Sequence, residues 1–155
     1  MISNRPRRLA GVSYIGYQRY FLTTCTADRH RAFEQAHITE GCILQLRRSA
    51  TAFAFALVAY CFMPDHLHLL VYGTSERADL KAFVVHYKKL TGFEYSRRVG
   101  RRLWQPGYYD RVLRDEEATE AIARYILENP IRAGLARQLG EYPFAGSDLF
   151  DPRQD

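Results

Sequence analysis

The amino-acid sequence predicts an α+β domain, an antiparallel sheet with helices packed on it. Three observations lead there. Runs rich in aromatic and β-branched residues alternate with longer stretches of helical period, in the order β-α-β-β-α-β-α. Two of the strand-like runs follow one another across a Pro-Asp turn, as in an antiparallel hairpin. The 155 residues, 47% hydrophobic and 25% charged, suffice for one domain with a core and are too few for two ordinary ones. No internal repeat, low-complexity tract or Pro/Gly/Ser-rich linker divides the chain.

Each element has its own signal. Tyr17-Gln-Arg-Tyr-Phe-Leu-Thr-Thr-Cys-Thr reads as the first strand, and Asp28-Arg-His-Arg as a polar turn. Ile38, Cys42 and Leu46 give a helix from about Ala36 to Arg48. A strand from Ala52 to Phe62 alternates Phe53, Phe55 and Leu57 with Ala54, Ala56 and Val58. Pro64-Asp65 turns the chain, and Leu67 to Tyr72 returns. Ser75 or Thr74 can cap a helix from about Arg77 to Arg98, with Leu80, Phe83, Val84, Tyr87, Leu90 and Thr91 along one side. A break at 100–107 leads to a short extended piece, Tyr108 to Arg114. The acidic run Asp115-Glu-Glu then suits the positive end of a helix dipole. That last helix stops near Asn129-Pro130, because proline pushes its predecessor out of helical geometry. With its helices on one face of the sheet, this order suits the split βαβ arrangement of ferredoxin-like domains.

The chain reads as a single domain over 1–155, with 1–12 a basic arm (Arg5, Arg7, Arg8) and 146–155 an acidic tail, both flexible. No run approaches the roughly 18 apolar residues of a membrane span. The start lacks a secretory signal, so the cytoplasm is the expected compartment. Cys25, Cys42 and Cys61 form no CxxC pair and read as buried small residues, with no redox or zinc role.

Charge is unevenly spread around the overall +5. Residues 77–114 carry ten Lys/Arg against three Asp/Glu, while 115–155 carry four against nine. Aromatics interleave the basic stretch, including Phe93, Trp104, Tyr108 and Tyr109. Cations neutralise phosphates and aromatic faces stack on unpaired bases, so the mixture suits single-stranded nucleic acid. A solvated helix face would look the same.

Chemistry concentrates in Met63-Pro-Asp-His-Leu-His-Leu-Leu-Val. In a strand His66 and His68 project from one face, roughly 6.5–7 Å apart at Cα, while Leu67, Leu69 and Val71 point to the core. Two such imidazoles can share one divalent cation; two structural histidines are the alternative. On the last helix, Ile122, Tyr125, Ile126 and Asn129 fall at i, i+3, i+4 and i+7. A phenol and an amide oxygen thus stand one turn apart, in a pattern that also suits a half-buried tyrosine with a capping asparagine. Tyr87, with Thr91 four residues on, is the next tyrosine to consider.

These residues resemble the HUH motif (His, hydrophobic, His) of single-tyrosine HUH transposases, and specifically the REP-associated tyrosine transposases. Leu103-Trp-Gln-Pro-Gly-Tyr-Tyr-Asp-Arg-Val-Leu-Arg-Asp-Glu-Glu, Arg124-Tyr-Ile-Leu-Glu-Asn-Pro-Ile-Arg-Ala-Gly-Leu and Tyr142-Pro-Phe-Ala-Gly-Ser carry the resemblance over most of the chain. It implies a ferredoxin-like HUH fold, His66 and His68 as metal ligands, and Tyr125 as nucleophile. Asn129 would be a third ligand, where insertion-sequence relatives commonly have Gln. The implied substrate is single-stranded DNA beside hairpin-forming palindromic repeats, cleaved and rejoined through a 5′-phosphotyrosine by a monomer or homodimer. The implied cofactor is Mg²⁺ or Mn²⁺, and two imidazole ligands make Mn²⁺ at least as effective. For gripping DNA the sequence offers Lys81, Lys88, Lys89, Arg97, Arg98, Arg101 and Arg102, with Tyr108 at the DNA surface and Trp104-Gln105 either there or packed against the HUH strands. The alternatives are a domesticated, non-catalytic hairpin- or single-strand-binding protein and a metal-dependent hydrolase of small phosphoesters.

Overall fold

A computed structural model describes residues 13–114, 118–149 and 151. The expected basic arm, the acidic run Asp115-Glu-Glu and most of the end of the acidic tail lie outside the described residues.

Five strands form one antiparallel sheet: β1 (Arg19–Cys25), β2 (Phe55–Met63), β3 (His66–Gly73), β4 (Tyr109–Leu113) and the two-residue β5 (Ala145–Gly146). Their spatial order is β4-β1-β3-β2-β5. β1 and β2 flank β3, and β3 and β4 flank β1, so each helical crossover skips one strand. This is the split βαβ arrangement that the sequence predicts. Helices α1 (Ala36–Ala52) and α2 (Leu80–Val99) make those crossovers.

Both lie on one face. Tyr20, Leu22, Phe55, Leu57, Tyr60, Phe62, Leu67, Leu69 and Val71 point from the sheet into a core shared with Leu46, Phe83 and Tyr87. The next helix, α3 (Thr119–Leu127), is on the other face. Its Ala123, Ile126 and Leu127 bury against Val58, Ala59, Cys61, Met63, Leu70 and Leu113. The expectation of helices on one face is therefore corrected. The central strands are apolar on both sides, and the second side needs its own cover. Arg19 of β1 holds the crossing, donating to the Thr119 hydroxyl and, at 2.6 Å, to the Arg114 carbonyl.

Boundaries move for local reasons. α1 continues past Arg48 to Ala52, since Ser49-Ala-Thr-Ala holds no helix breaker and Ser49 and Ala50 are buried. The chain reverses at Ala54, in left-handed backbone at φ 61°, so β2 begins at Phe55 rather than Ala52. Alternation in β2 is interrupted: Leu57 pairs with Val71 and Ala59 with Leu70, leaving Val58 as an extra, bulged residue. α2 starts at Leu80, capped by Asp79, whose carboxylate accepts from the Ala82 amide at 3.1 Å. Ser75 instead accepts from Arg77 in the preceding turn. Gly100, at φ 80°, ends the helix in the left-handed geometry that glycine adopts without strain. The predicted stop near Pro130 is a joint: α3 ends at Leu127, and a short α4 (Asn129–Arg132) follows with Pro130 in its first turn.

Candidate functional site

The pairing of β1 with β3 sets Thr23 opposite His68 and Cys25 opposite His66. On the other side β2 sets Cys61 opposite His68 and Met63 opposite His66. By alternation His66 and His68 share the α3 face with Leu70, while Leu67, Leu69 and Val71 enter the other core, as the sequence predicts. The two imidazole rings stand 4.7 Å apart, edge to face. The His68 ring also stacks on Phe21 at 5.7 Å.

Each ring is oriented through Nδ1. His66 Nδ1 lies 2.7 Å from the Asp65 carboxylate, which can only accept, so the proton sits on Nδ1. Arg29 holds that carboxylate from the other side at 3.0 Å. Burial alone would raise the Asp65 carboxyl, but the hydrogen bonds from His66 and Arg29 outweigh it and keep the group below its ordinary range. His68 Nδ1 lies 2.8 Å from the Thr23 hydroxyl, which can accept its proton. Burial, then the neighbouring His66, Arg132 and Arg29, push His68 down to about 4, so it is neutral at physiological pH.

This donor set fits a divalent cation. A ligating imidazole must be neutral and commonly donates its other N–H to a carboxylate or another acceptor. Each ring has such an Nδ1 partner, and Nε2 of neither makes a hydrogen bond among the described residues. No group of three or more His, Cys, Asp or Glu side chains that could hold a metal occurs among the described residues.

Tyr125 is 55% exposed on α3, beside the fully buried Ile126 that anchors the helix. Glu128, between α3 and α4, keeps helical dihedrals (φ −82°, ψ −8°), so Tyr125 and half-buried Asn129 remain one turn apart. Among the described residues no hydrogen bond joins either of them to His66 or His68. Arg132 covers Tyr125: its guanidinium is 4.0 Å from the ring centroid, and Nη2 donates to the Tyr125 carbonyl at 2.5 Å. Tyr87 is on the other face, buried, its hydroxyl donating to the Cys42 carbonyl at 2.9 Å, which removes it as a second nucleophile candidate.

The basic stretch lines a groove of about 950 Å³ between α2 and residues 100–108. Lys89, Arg101 and Arg102 are exposed along it, as is Phe93. Arg97 lies over the Phe93 ring, Lys81 over Tyr14, and Arg98 lines a small neighbouring pocket. Trp104 and Tyr108 line the groove but are only 5% and 6% exposed, so burial favours the packing reading of Trp104, and the Tyr108 ring offers little face to a base. Trp104 packs on Phe33 and Tyr87, and its indole N–H donates to Thr91. Lys88 is also placed differently: its ammonium donates to the carbonyls of Gln105 (2.9 Å) and Gly107 (2.6 Å), tying down the loop. Gln105, half-buried, donates its backbone N–H to the Cys25 carbonyl. Cys25 is opposite His66, so groove and histidine pair meet at one end of the sheet, on its two faces.

Sequence reasoning missed four residues. Asp65 was visible as the neighbour of His66. Thr23 needed the register of β1 on β3, and Arg132 was hidden behind the expected stop at Pro130. Tyr109, 49% exposed, pairs with Thr23 and shares the histidine face.

Residues 16–129 match the family described as IS200-like transposase. A Haemophilus influenzae protein assigned as a REP-associated tyrosine transposase is 25% identical over 138 residues, 81% of this chain and 77% of its own length. The REP-associated tyrosine transposase of Escherichia coli K12 is 22% identical over 135 residues, 85% of this chain and 78% of its own. Among solved structures, a REP-associated tyrosine transposase bound to a REP hairpin superposes with a TM-score of 0.71 at 20% identity, over 92% of this chain and 82% of that one. A Deinococcus radiodurans protein assigned as a transposase gives a TM-score of 0.53 at 27% identity, over 80% and 97%. The chain thus belongs to the IS200-like transposases, single-tyrosine HUH enzymes that cleave and rejoin DNA, and is similar to REP-associated members.

Proposed function

We propose that this chain cleaves and rejoins single-stranded DNA beside hairpin-forming palindromic repeats, with Tyr125 as nucleophile. The observation that carries the reading is the histidine pair: two imidazoles oriented through Nδ1, with no hydrogen bond to either Nε2 among the described residues, on the sheet face against which α3, the helix of Tyr125, packs. His66 and His68 would hold Mg²⁺ or Mn²⁺, with the Asn129 amide as third ligand. The ion, when bound, supplies Lewis-acid stabilisation of charge on the phosphoryl oxygens.

Tyr125 Oη attacks the phosphorus, a Tyr–O–P bond forms and the P–O3′ bond breaks. The phenol gives up its proton, and the departing 3′ oxygen takes one up as a free hydroxyl. A 3′ hydroxyl attacking the 5′-phosphotyrosine reverses the exchange without further energy input. Lys89, Arg101 and Arg102 along the groove take the hairpin phosphates, and single strand passes the sheet end at Gln105 toward the histidines. The REP hairpin held by the superposing relative supports this choice of substrate.

The test is a denaturing gel of labelled hairpin oligonucleotides incubated with the chain and Mn²⁺ or EDTA. A metal-dependent covalent adduct that vanishes in Tyr125→Phe is expected. Hairpin binding with no adduct over a broad panel would overturn the proposal in favour of a non-catalytic DNA-binding protein.

A further inference from the structure

We infer that Arg132 is the positioning residue for Tyr125 in strand cleavage, an inference that rests on the reading of Tyr125 as nucleophile. Arg132 reaches Tyr125 because the joint at Glu128 stays helical. Seven residues are nearly two turns, so its side chain returns to the tyrosine's side. It touches Tyr125 twice: the guanidinium covers the ring at 4.0 Å, and Nη2 binds the backbone carbonyl at 2.5 Å. Glu128 steadies this arrangement, with carboxylate oxygens 3.9 Å from Arg132 Nη1 and 3.7 Å from Arg124 Nη1.

The hold matters because Tyr125 is exposed on a helix surface. Exposed side chains hop rotamers in picoseconds to nanoseconds, and in-line attack tolerates little misplacement. A stacked, planar guanidinium removes much of that freedom before DNA arrives. Lysine keeps the charge but has no flat face, and it does not reproduce the two-point contact.

The experiment compares the native chain with Arg132→Gln, Arg132→Lys and Arg132→Ala. Adduct formation is followed in single turnover, with protein saturating a labelled hairpin and Mn²⁺ present. Hairpin affinity is measured in parallel. A ¹⁹F spectrum of 3-fluorotyrosine placed at position 125 reports the ring. Arg132→Gln is expected to slow the adduct by about tenfold or more, within the ~10²-fold that small misplacements cost. Hairpin affinity stays within about threefold, and the ¹⁹F line moves toward that of free fluorotyrosine. Guanidinium added to Arg132→Ala restores part of the rate, which a purely structural role does not allow.

An unchanged rate in Arg132→Gln, or a slowed rate with an unmoved ¹⁹F line, overturns the inference. If Arg132→Gln fails to fold, Arg132→Lys, which retains the ion pair with Glu128, carries the same measurements. A native chain that forms no adduct sinks the nucleophile reading instead, and the ¹⁹F comparison then decides on its own whether Arg132 holds the ring.

Discussion

Replacing Thr23 by valine removes one hydrogen bond and almost nothing else. The hydroxyl stands 2.8 Å from His68 Nδ1, while the ring's other support, the stack on Phe21 at 5.7 Å, is untouched. The imidazole therefore keeps its place but loses the acceptor that fixes its tautomer. Leaving this partly buried N–H without a partner costs about 1 kcal/mol of stability, the low end for a buried donor. The larger effect falls on the metal. Removing the partner of a ligating imidazole typically lowers affinity 10–100-fold, or about 1.4–2.7 kcal/mol. Mn²⁺ titration by calorimetry or EPR, with a thermal melt of the metal-free chain, measures both quantities. Thr23→Ser, which keeps the oxygen, should bind Mn²⁺ within a fewfold of native. A folded Thr23→Val with unaltered affinity would refute the claim that this contact prepares His68 as a ligand.

Ile126→Ala should cost about 2–5 kcal/mol in denaturant unfolding, because a fully buried side chain anchoring α3 leaves a cavity. Lys88→Met and Lys89→Met should separate. The first loses two charge-assisted bonds to the 105–107 loop and melts well below native. The second leaves stability within about 0.5 kcal/mol while reducing the salt slope of hairpin binding by about one. Burial pushes the Cys42 and Cys61 thiols from 9.0 up to about 12, so between those values only the unfolded chain ionises there. Their contribution to stability is intact below pH 9 and declines as pH rises toward 12. A denaturant series across that range, against a Cys42→Ala/Cys61→Ala chain, should show the difference.

Much of this was legible in the residue order, because short-range signals decide it. The His-Leu-His alternation, the Pro-Asp turn and the spacing of Tyr125 and Asn129 depend on a few neighbouring residues, and the structure keeps all three. The burial of Trp104 and Tyr108 was not legible. Aromatics among cations read equally well as a stacking surface, and only the packing of Trp104 on Phe33 and Tyr87 decides it. Lys88 shows the same limit, since its partners are carbonyl groups 17 and 19 residues away. The placement of α3 on the second face needed the knowledge that Ala59, Cys61 and Leu70 form a second apolar surface. That surface depends on pairing register, which local patterns do not encode.

The single extra residue at Val58 acts as a parity switch for the strand that carries it. Before it, Phe55 and Leu57 face α1 and α2; after it, Tyr60 and Phe62 do, and Ala59 and Cys61 take the opposite side. Without the shift, unbroken alternation from Phe55 would aim Tyr60 and Phe62 at the imidazoles, and aromatic bulk would fill the ground beside His68. With it, the strand next to the histidines presents a thiol opposite His68 and the unbranched Met63 opposite His66, with Ala59 beyond, and no aromatic ring. One inserted valine, 8 to 10 positions from the histidines in sequence, keeps open the space in which they can act as a pair.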